Sequence, residues 1–447
     1  MRTTITLITI AGSLMAASNP SAVTFNKQVL PVLQKRCQNC HRPGEAAPFS
    51  MLTYKDARPW AKAMKEAVLT KKMPPWFADP AYGHFSNDRR LQAEDVNTLV
   101  AWVDQGALEG DPKDAPQPLE FSEGWTIGKP DVVLEMPVDY TVPARGTIEY
   151  TYFLLPRVFN EDKWIEKIEV RPGARSVVHH VVMVSRPPGS EWLADMKPGV
   201  AWVPPEEKSD RKREADTGEG RFFLGDMEIV SVYVPGGVAY QTARGQARLL
   251  KAGSDLVFQM HYTANGKPTV DRSRVAIIFA KQPPRERVVN TFIMNTRFRI
   301  PAGAPDQVVD ARVTVHQDAT LLNLFPHMHF RGKAFEYQVT YPSGETDTLL
   351  RVPKYDFNWQ LTYRLEQPLK LPKGTVLTAI AHYDNSPNNP YNPDPKSEVY
   401  WGDQSWEEML AGFVDFAIPL NMEPSDLAGP KKEKDKGKDK ESKASGQ

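Results

Sequence analysis

From residue 125 to about 423 the apolar positions come in short, β-branched runs broken by proline and glycine. Thr147-Ile148-Glu149-Tyr150-Thr151-Tyr152-Phe153, Ile165-Glu166-Lys167-Ile168-Glu169-Val170 and Leu256-Val257-Phe258-Gln259-Met260 are of this kind. Many short strands between turn signals predict an all-β sandwich or barrel. Earlier in the chain the spacing is helical. Residues 26–35 carry Val29, Leu30, Val32 and Leu33, with Pro31 suited to a first turn. Residues 95–106 form an amphipathic pattern that stops at Gly106.

The two ends read differently again. Residues 5–17 are an apolar run too short to span a bilayer, followed by the small residues Ser18, Ser21 and Ala22. This predicts a cleaved secretory signal over 1–22, the alternative being an apolar first strand. Residues 424–447 lose their apolar content and carry no aromatic, which predicts a disordered, charged, solvated tail.

Size and composition add boundaries. A chain of 447 residues suggests about three domains of ~150 residues. With 25% charged residues and a formal net charge of +0, nothing points to nucleic acid or an anionic membrane as partner. No other run is long enough for a membrane-spanning helix, so an exported protein, periplasmic or extracellular, with no integral membrane segment is expected. The expected order is a signal (1–22), an all-α domain (23–112), a proline-rich linker (113–124), two all-β, jelly-roll-like sandwiches (125–286 and 287–423) and the tail (424–447).

Both cysteines of the chain fall in Cys37-Gln38-Asn39-Cys40-His41. Cys-x-x-Cys-His is the attachment signature of a c-type haem: two thiols add to the vinyl groups, and the adjacent imidazole reaches the iron. A redox dithiol would want a βαβ context and a zinc site a second ligand pair, and neither is visible. The first domain therefore looks like a small cytochrome c, with Met73 in Lys72-Met73-Pro74-Pro75-Trp76 as the expected sixth ligand. Met51, Met64 and His84 compete for that place, although methionine is more often core filler.

The chain has only 9 histidines, and several cluster. Residues 319–324 read as a strand running into Phe325-Pro326-His327-Met328-His329. With a period of two, His327 and His329 share a face and make half of a metal site, the plain alternative being two rim histidines hydrogen-bonded to loops. His179 and His180 are adjacent, so on a regular strand they would face opposite ways. One buried and one exposed histidine is the simple reading; a bulge would let both join His261 in a tris-His site. An internal echo links the halves: each has a paired-His strand followed by a His-Tyr strand, at His261-Tyr262 and His382-Tyr383. For the second pair the third ligand is His382 or Met409, and a thioether favours copper(I) over zinc.

The order His-His, His, His-x-His, Met across two sandwiches resembles the copper type II, ascorbate-dependent monooxygenases, which include peptidylglycine α-hydroxylating and dopamine β-monooxygenases. Gly402-Asp403-Gln404-Ser405 through Glu408-Met409 is similar to that family's segment around its methionine ligand. The resemblance covers about 125–421. It implies one copper at His179, His180 and His261 and a second, catalytic one at His327, His329 and Met409. It further implies O2 as co-substrate, hydroxylation of a substrate C–H bond at the second copper, and ascorbate or a redox protein as electron donor. The family's disulfides cannot exist here, the haem segment is foreign to the animal enzymes, and their substrates do not carry over. A small-molecule or peptide substrate is expected. The other readings are an electron-transfer or copper-binding protein without hydroxylase activity, and a zinc hydrolase, against which Met409 counts.

Overall fold

The computed structural model describes residues 22–45, 47–121, 124–204, 218–222, 227–237 and 239–429. The signal expected over 1–22 lies outside these but for Ala22, as does the expected tail beyond Gly429. Among the described residues, no helix is long and apolar enough to cross a membrane. The chain sorts into two compact units.

The first unit takes residues up to Gln38, Phe49–Met73 and Leu91–Leu119. A π-helical turn, Phe25–Val29, feeds the α-helix Leu30–Arg36, with Pro31 in its first turn as the pattern predicted. The helix Ala61–Leu69 and the capped helix Ala93–Asp104 follow, and the chain turns at Gly106 with φ 94°. Phe25, Leu33, Met64, Leu99 and Trp102 close the core between them. The Trp102 indole N–H donates to the Leu108 carbonyl at 2.9 Å, so the one polar atom of that side chain is satisfied. Met51 and Met64 are buried in this core as packing.

The domain expected over 23–112 is divided. Residues Asn39–Pro48 and Pro74–Arg90 belong to the second unit, and the Cys37–His41 motif straddles the division. Aromatic burial explains the second segment. Trp76 and Phe85 pack edge-on against Tyr363, with ring centroids 4.9 and 5.4 Å away. Backbone N–H groups of Asp79 and Ser86 donate to the carbonyls of Arg351 and Arg364.

The second unit is β-sheet. Its largest sheet has ten strands, eight of them in one path: Val132–Glu135, Arg274–Phe279, Lys163–Arg171, Gln246–Leu250, Glu286–Asn295, Leu410–Pro419, Ala319–His327 and Tyr363–Leu371. The first four come from the first expected sandwich and the last four from the second. The seam is a short parallel pairing, Gln246 with Glu286 and Ala247 with Arg287. The two sandwiches thus share one continuous sheet.

Each half of that sheet is faced by a smaller one. A four-stranded sheet (Thr151–Leu155, Asp255–Tyr262, Val178–Arg186, Glu228–Tyr233) packs Phe153, Val181 and Phe258 against Ile165, Ile168 and Ile277. A five-stranded sheet, including Gly332–Thr340, Val376–Tyr383 and Gln307–Thr314, packs Phe335, Tyr337 and Leu377 against Leu321, Val414 and Phe416. In Gln307–Thr314 the buried Val309, Ala311 and Val313 alternate with outward residues, the pattern of a strand with one wet face.

Two boundaries differ from the sequence reading. The run 147–153 becomes a strand only at Thr151, although Ile148 and Tyr150 are buried. The tail expected from 424 is ordered as far as Gly429: Pro424–Ala428 is a 3-10 turn whose Leu427 is wholly buried. The Leu427 carbonyl accepts from the His316 N–H at 3.0 Å. Burial of Leu427, with the Glu423–Asp426 capping box, accompanies this extension of the fold past the polar composition.

Candidate metal centres

The first cluster depends on a fault in a ladder. Val178–Arg186 pairs antiparallel with Asp255–Tyr262; His261 sits opposite His180, yet Tyr262 sits opposite Val178. His179 is the extra residue of that bulge, and the bulge turns its ring to the same side as its neighbour. One ligand atom from each of His179, His180 and His261 then lies within 4.8 Å of the others. The three ring centroids are 4.9 to 5.5 Å apart.

Burial keeps these rings neutral. It pushes His179 down to about 4, and His180 and His261 well below the usual imidazole range, with mutual repulsion of their charged forms adding to the effect. Both ring nitrogens of His179 and His180, and Nδ1 of His261, are buried without a hydrogen-bond partner. Orphaned polar atoms at this density are costly unless something binds them, and neutral imidazole is the form that ligates metal. The set fits a metal ion. Tyr150 packs edge-on against His261 at 4.9 Å and Phe357 lies flat against His179.

The second cluster sits where Ala319–His327 leaves the large sheet. The His327 and His329 rings are 5.3 Å apart and nearly perpendicular. His327 Nδ1–H donates to Gln360 Oε1 at 2.6 Å, which leaves Nε2 with its lone pair free. His329 Nδ1 faces the Glu407 carbonyl at 3.4 Å, and its Nε2 is buried without a partner. Burial pushes His327 down to about 4 and His329 well below its usual range. Charge on His327 or His329 also disfavours charge on His180, so the two clusters share one electrostatic environment.

Glu408 holds the second cluster together. Its carboxylate accepts from the backbone N–H of His329 (2.9 Å), Arg331 (2.6 Å) and Met409 (3.3 Å). It is wholly buried, and burial pushes it up to about 7. Arg331 beside it donates to Asn385 Oδ1 and the Trp406 carbonyl. Met409 lines the same cavity as His180, His327 and His329, a space of about 1230 Å³. Its carbonyl accepts from the Tyr383 hydroxyl at 2.9 Å.

His382 stands elsewhere. Its Nδ1 meets Asp306 at 3.1 Å on a half-exposed face, and it does not line the cavity. The echo between the two halves fails here for a topological reason. Val178–Arg186 and Asp255–Tyr262 are neighbours in one sheet, whereas Ala319–His327 and Val376–Tyr383 lie in opposite sheets. Phe357, Gln360 and Glu408 had no signal in the sequence beyond the position of Glu408 next to Met409.

In the Cys37–His41 motif neither cysteine is in a disulfide. Burial pushes the Cys40 thiol up, partly offset by Arg89. Gly236, with φ 71°, closes over it: a side chain there would begin 3.3 Å from Cys40 Sγ and 3.9 Å from the Trp359 ring. Cys40, His41, Gly236 and Trp359 belong to the second unit, whereas Cys37 and the half-buried Met73 belong to the first.

No protein-family model and no curated protein matches the chain. Among solved structures, one of infectious bursal disease virus strain Gx aligns over 67% of this chain and 75% of its own, at 9% identity and a TM-score of 0.19. A Paenibacillus xanthan lyase aligns over 70% of this chain and 28% of its own, at 11% identity and a TM-score of 0.15. Scores this low do not relate the folds.

Proposed function

We propose that this protein is an exported haem- and copper-containing monooxygenase that hydroxylates a C–H bond of an organic substrate. The balance is one O2, two electrons and two protons per substrate, giving the alcohol and water, with ascorbate or a redox protein as donor. The single observation that carries the reading is the bulge at His179. It gathers three orphaned, neutral imidazoles beside a cavity that also holds His327, His329 and Met409. This is the ligand order that resembles the copper type II monooxygenases.

Copper bound at the two sets would supply one-electron redox chemistry and activation of O2, and a c-type haem on Cys37 and Cys40 would supply electrons singly. His179, His180 and His261 would hold one ion, and His327, His329 and Met409 the other, the thioether favouring the reduced metal. His41 and Met73 would be the residues to hold the haem iron. Gln360 fixes the tautomer and plane of His327. Glu408 holds the turn bearing His329 and the start of the Met409 strand at one distance. Phe292, Phe413 and Trp401 pack with Met409 and give the cavity an apolar stretch of wall beside it.

Metal analysis and oxygen uptake test the reading. Two coppers per haem, substrate-dependent O2 consumption, and a Cu(I)–CO infrared band that Met409→Ala alters are expected. Two coppers with no uptake across a broad screen would leave an electron-transfer or copper-binding protein; zinc, or no metal, would refute both.

A further inference from the structure

The cavity floor is banded. It is formed by Glu286–Asn295, Leu410–Pro419, Ala319–His327 and Tyr363–Leu371, side by side in the large sheet. Register places Met294 and His327 on either side of Ala411, with Met409 two residues beyond. The next row along the strands is Phe292, Phe413 and Phe325, with ring centroids 4.7 and 5.5 Å from Phe413. The row after that is polar: Asn290, Asp415, Asn323 and Arg364. Residues two apart share a face, so the bands line one side of the cavity.

The polar end is built and incompletely satisfied. Asp415 accepts from Arg248 Nη2 at 2.8 Å, Asn323 Nδ2 at 2.7 Å and Asn290 Nδ2 at 2.8 Å. Arg248 is 2% exposed, and its guanidinium lies 4.4 Å from the Tyr240 ring. Its Nε and Nη1 are buried with no hydrogen-bond partner; Glu228 stands 3.8 Å from Nη1. Buried guanidinium donors left open at the wall of a cavity are costly unless an acceptor arrives. Arg364, in the same row, adds a second cation to the lining.

We propose that the Arg248 end of the cavity is a head-group subsite for an elongated, mostly apolar molecule that ends in a carbonyl or carboxylate oxygen. The oxygen accepts from Arg248, the body crosses the phenylalanine row, and the far end reaches His327, His329 and Met409. Asn323 and His327 are four residues apart along one strand, so the polar row and the row bearing His327 stand about 13 Å apart. That this molecule is the substrate rests on the monooxygenase reading; that the cavity binds it does not.

The test uses metal-free full-length protein and tryptophan-fluorescence titration with 6-phenylhexanamide, 6-phenylhexanoate and hexylbenzene. Both oxygen-bearing probes are expected to bind about tenfold more tightly than hexylbenzene, the worth of one charge-assisted hydrogen bond. The paired substitution Arg248→Met/Asp415→Asn, which removes that ion pair and leaves Glu228 with Arg287, is expected to abolish that preference. Equal binding of all three probes to the wild-type protein would overturn the subsite, as would an unchanged preference in the folded double variant. If the double variant does not fold, the wild-type comparison still decides. Because no metal takes part, failure to find copper or O2 uptake would refute the enzyme reading and leave this result standing.

Discussion

Phe357 lies flat against His179, with ring centroids 5.2 Å apart and planes within 15°, and three residues later Gln360 accepts from His327. One short connection between two strands of the second sandwich thus touches both histidine clusters. It is the physical link between them, and its side chains act by orienting rings. Gln360→Leu should weaken metal binding at His327 and His329 by roughly 10- to 100-fold, the usual cost of losing such a partner. Gln360→Glu should restore most of it, and binding at His179, His180 and His261 should be unchanged. Chelator competition with separate spectroscopic signals for the two sites checks this.

Glu408 satisfies three buried N–H groups at once. Glu408→Ala should cost about 3 kcal/mol or more of stability, since each orphaned donor costs about 1–3 kcal/mol. Glu408→Gln, which keeps one acceptor oxygen, should cost less. Thermal or denaturant unfolding of the metal-free protein reads the difference.

His179 and His327 are each held down to about 4, from an ordinary value of 6.5. The unfolded chain therefore binds more protons than the folded one between those values, and stability falls as pH drops through that window. Each buried ring contributes up to about 3 kcal/mol. The melting temperature of metal-free protein should decline steadily from pH 6.5 to 4, and His179→Gln should flatten the slope.

His382 pairs with Asp306 away from the cavity. His382→Ala should leave metal stoichiometry unchanged, whereas His179→Ala should lower affinity at the first cluster alone. Elemental analysis after dialysis against a graded chelator separates the two outcomes.

Leu427 anchors the last described turn. Leu427→Ala should destabilise by roughly 2–4 kcal/mol, as for other wholly buried leucines. A loss under 0.5 kcal/mol in chemical denaturation would contradict its place in the core.

What the sequence alone determined was local. Strand and helix periods and the paired thiols with their adjacent histidine depend on residues within a few positions of each other, so spacing reveals them, whereas the strand bearing His327 ends there and His329 comes beside it from the turn that follows. The tertiary structure decided the rest. Whether His179 joins His180 depends on the register of a partner strand some eighty residues away, and a ladder fault is invisible in either strand read singly. Whether His382 belongs with His327 depends on which sheet its strand enters, and the echo in sequence pointed to the wrong one. Gln360, Phe357 and Arg248 acquire their roles only from what packs against them. Ligand chemistry is carried by side-chain type, whereas orientation, burial and the banding of the cavity floor come from long-range pairing, which one chain position cannot encode.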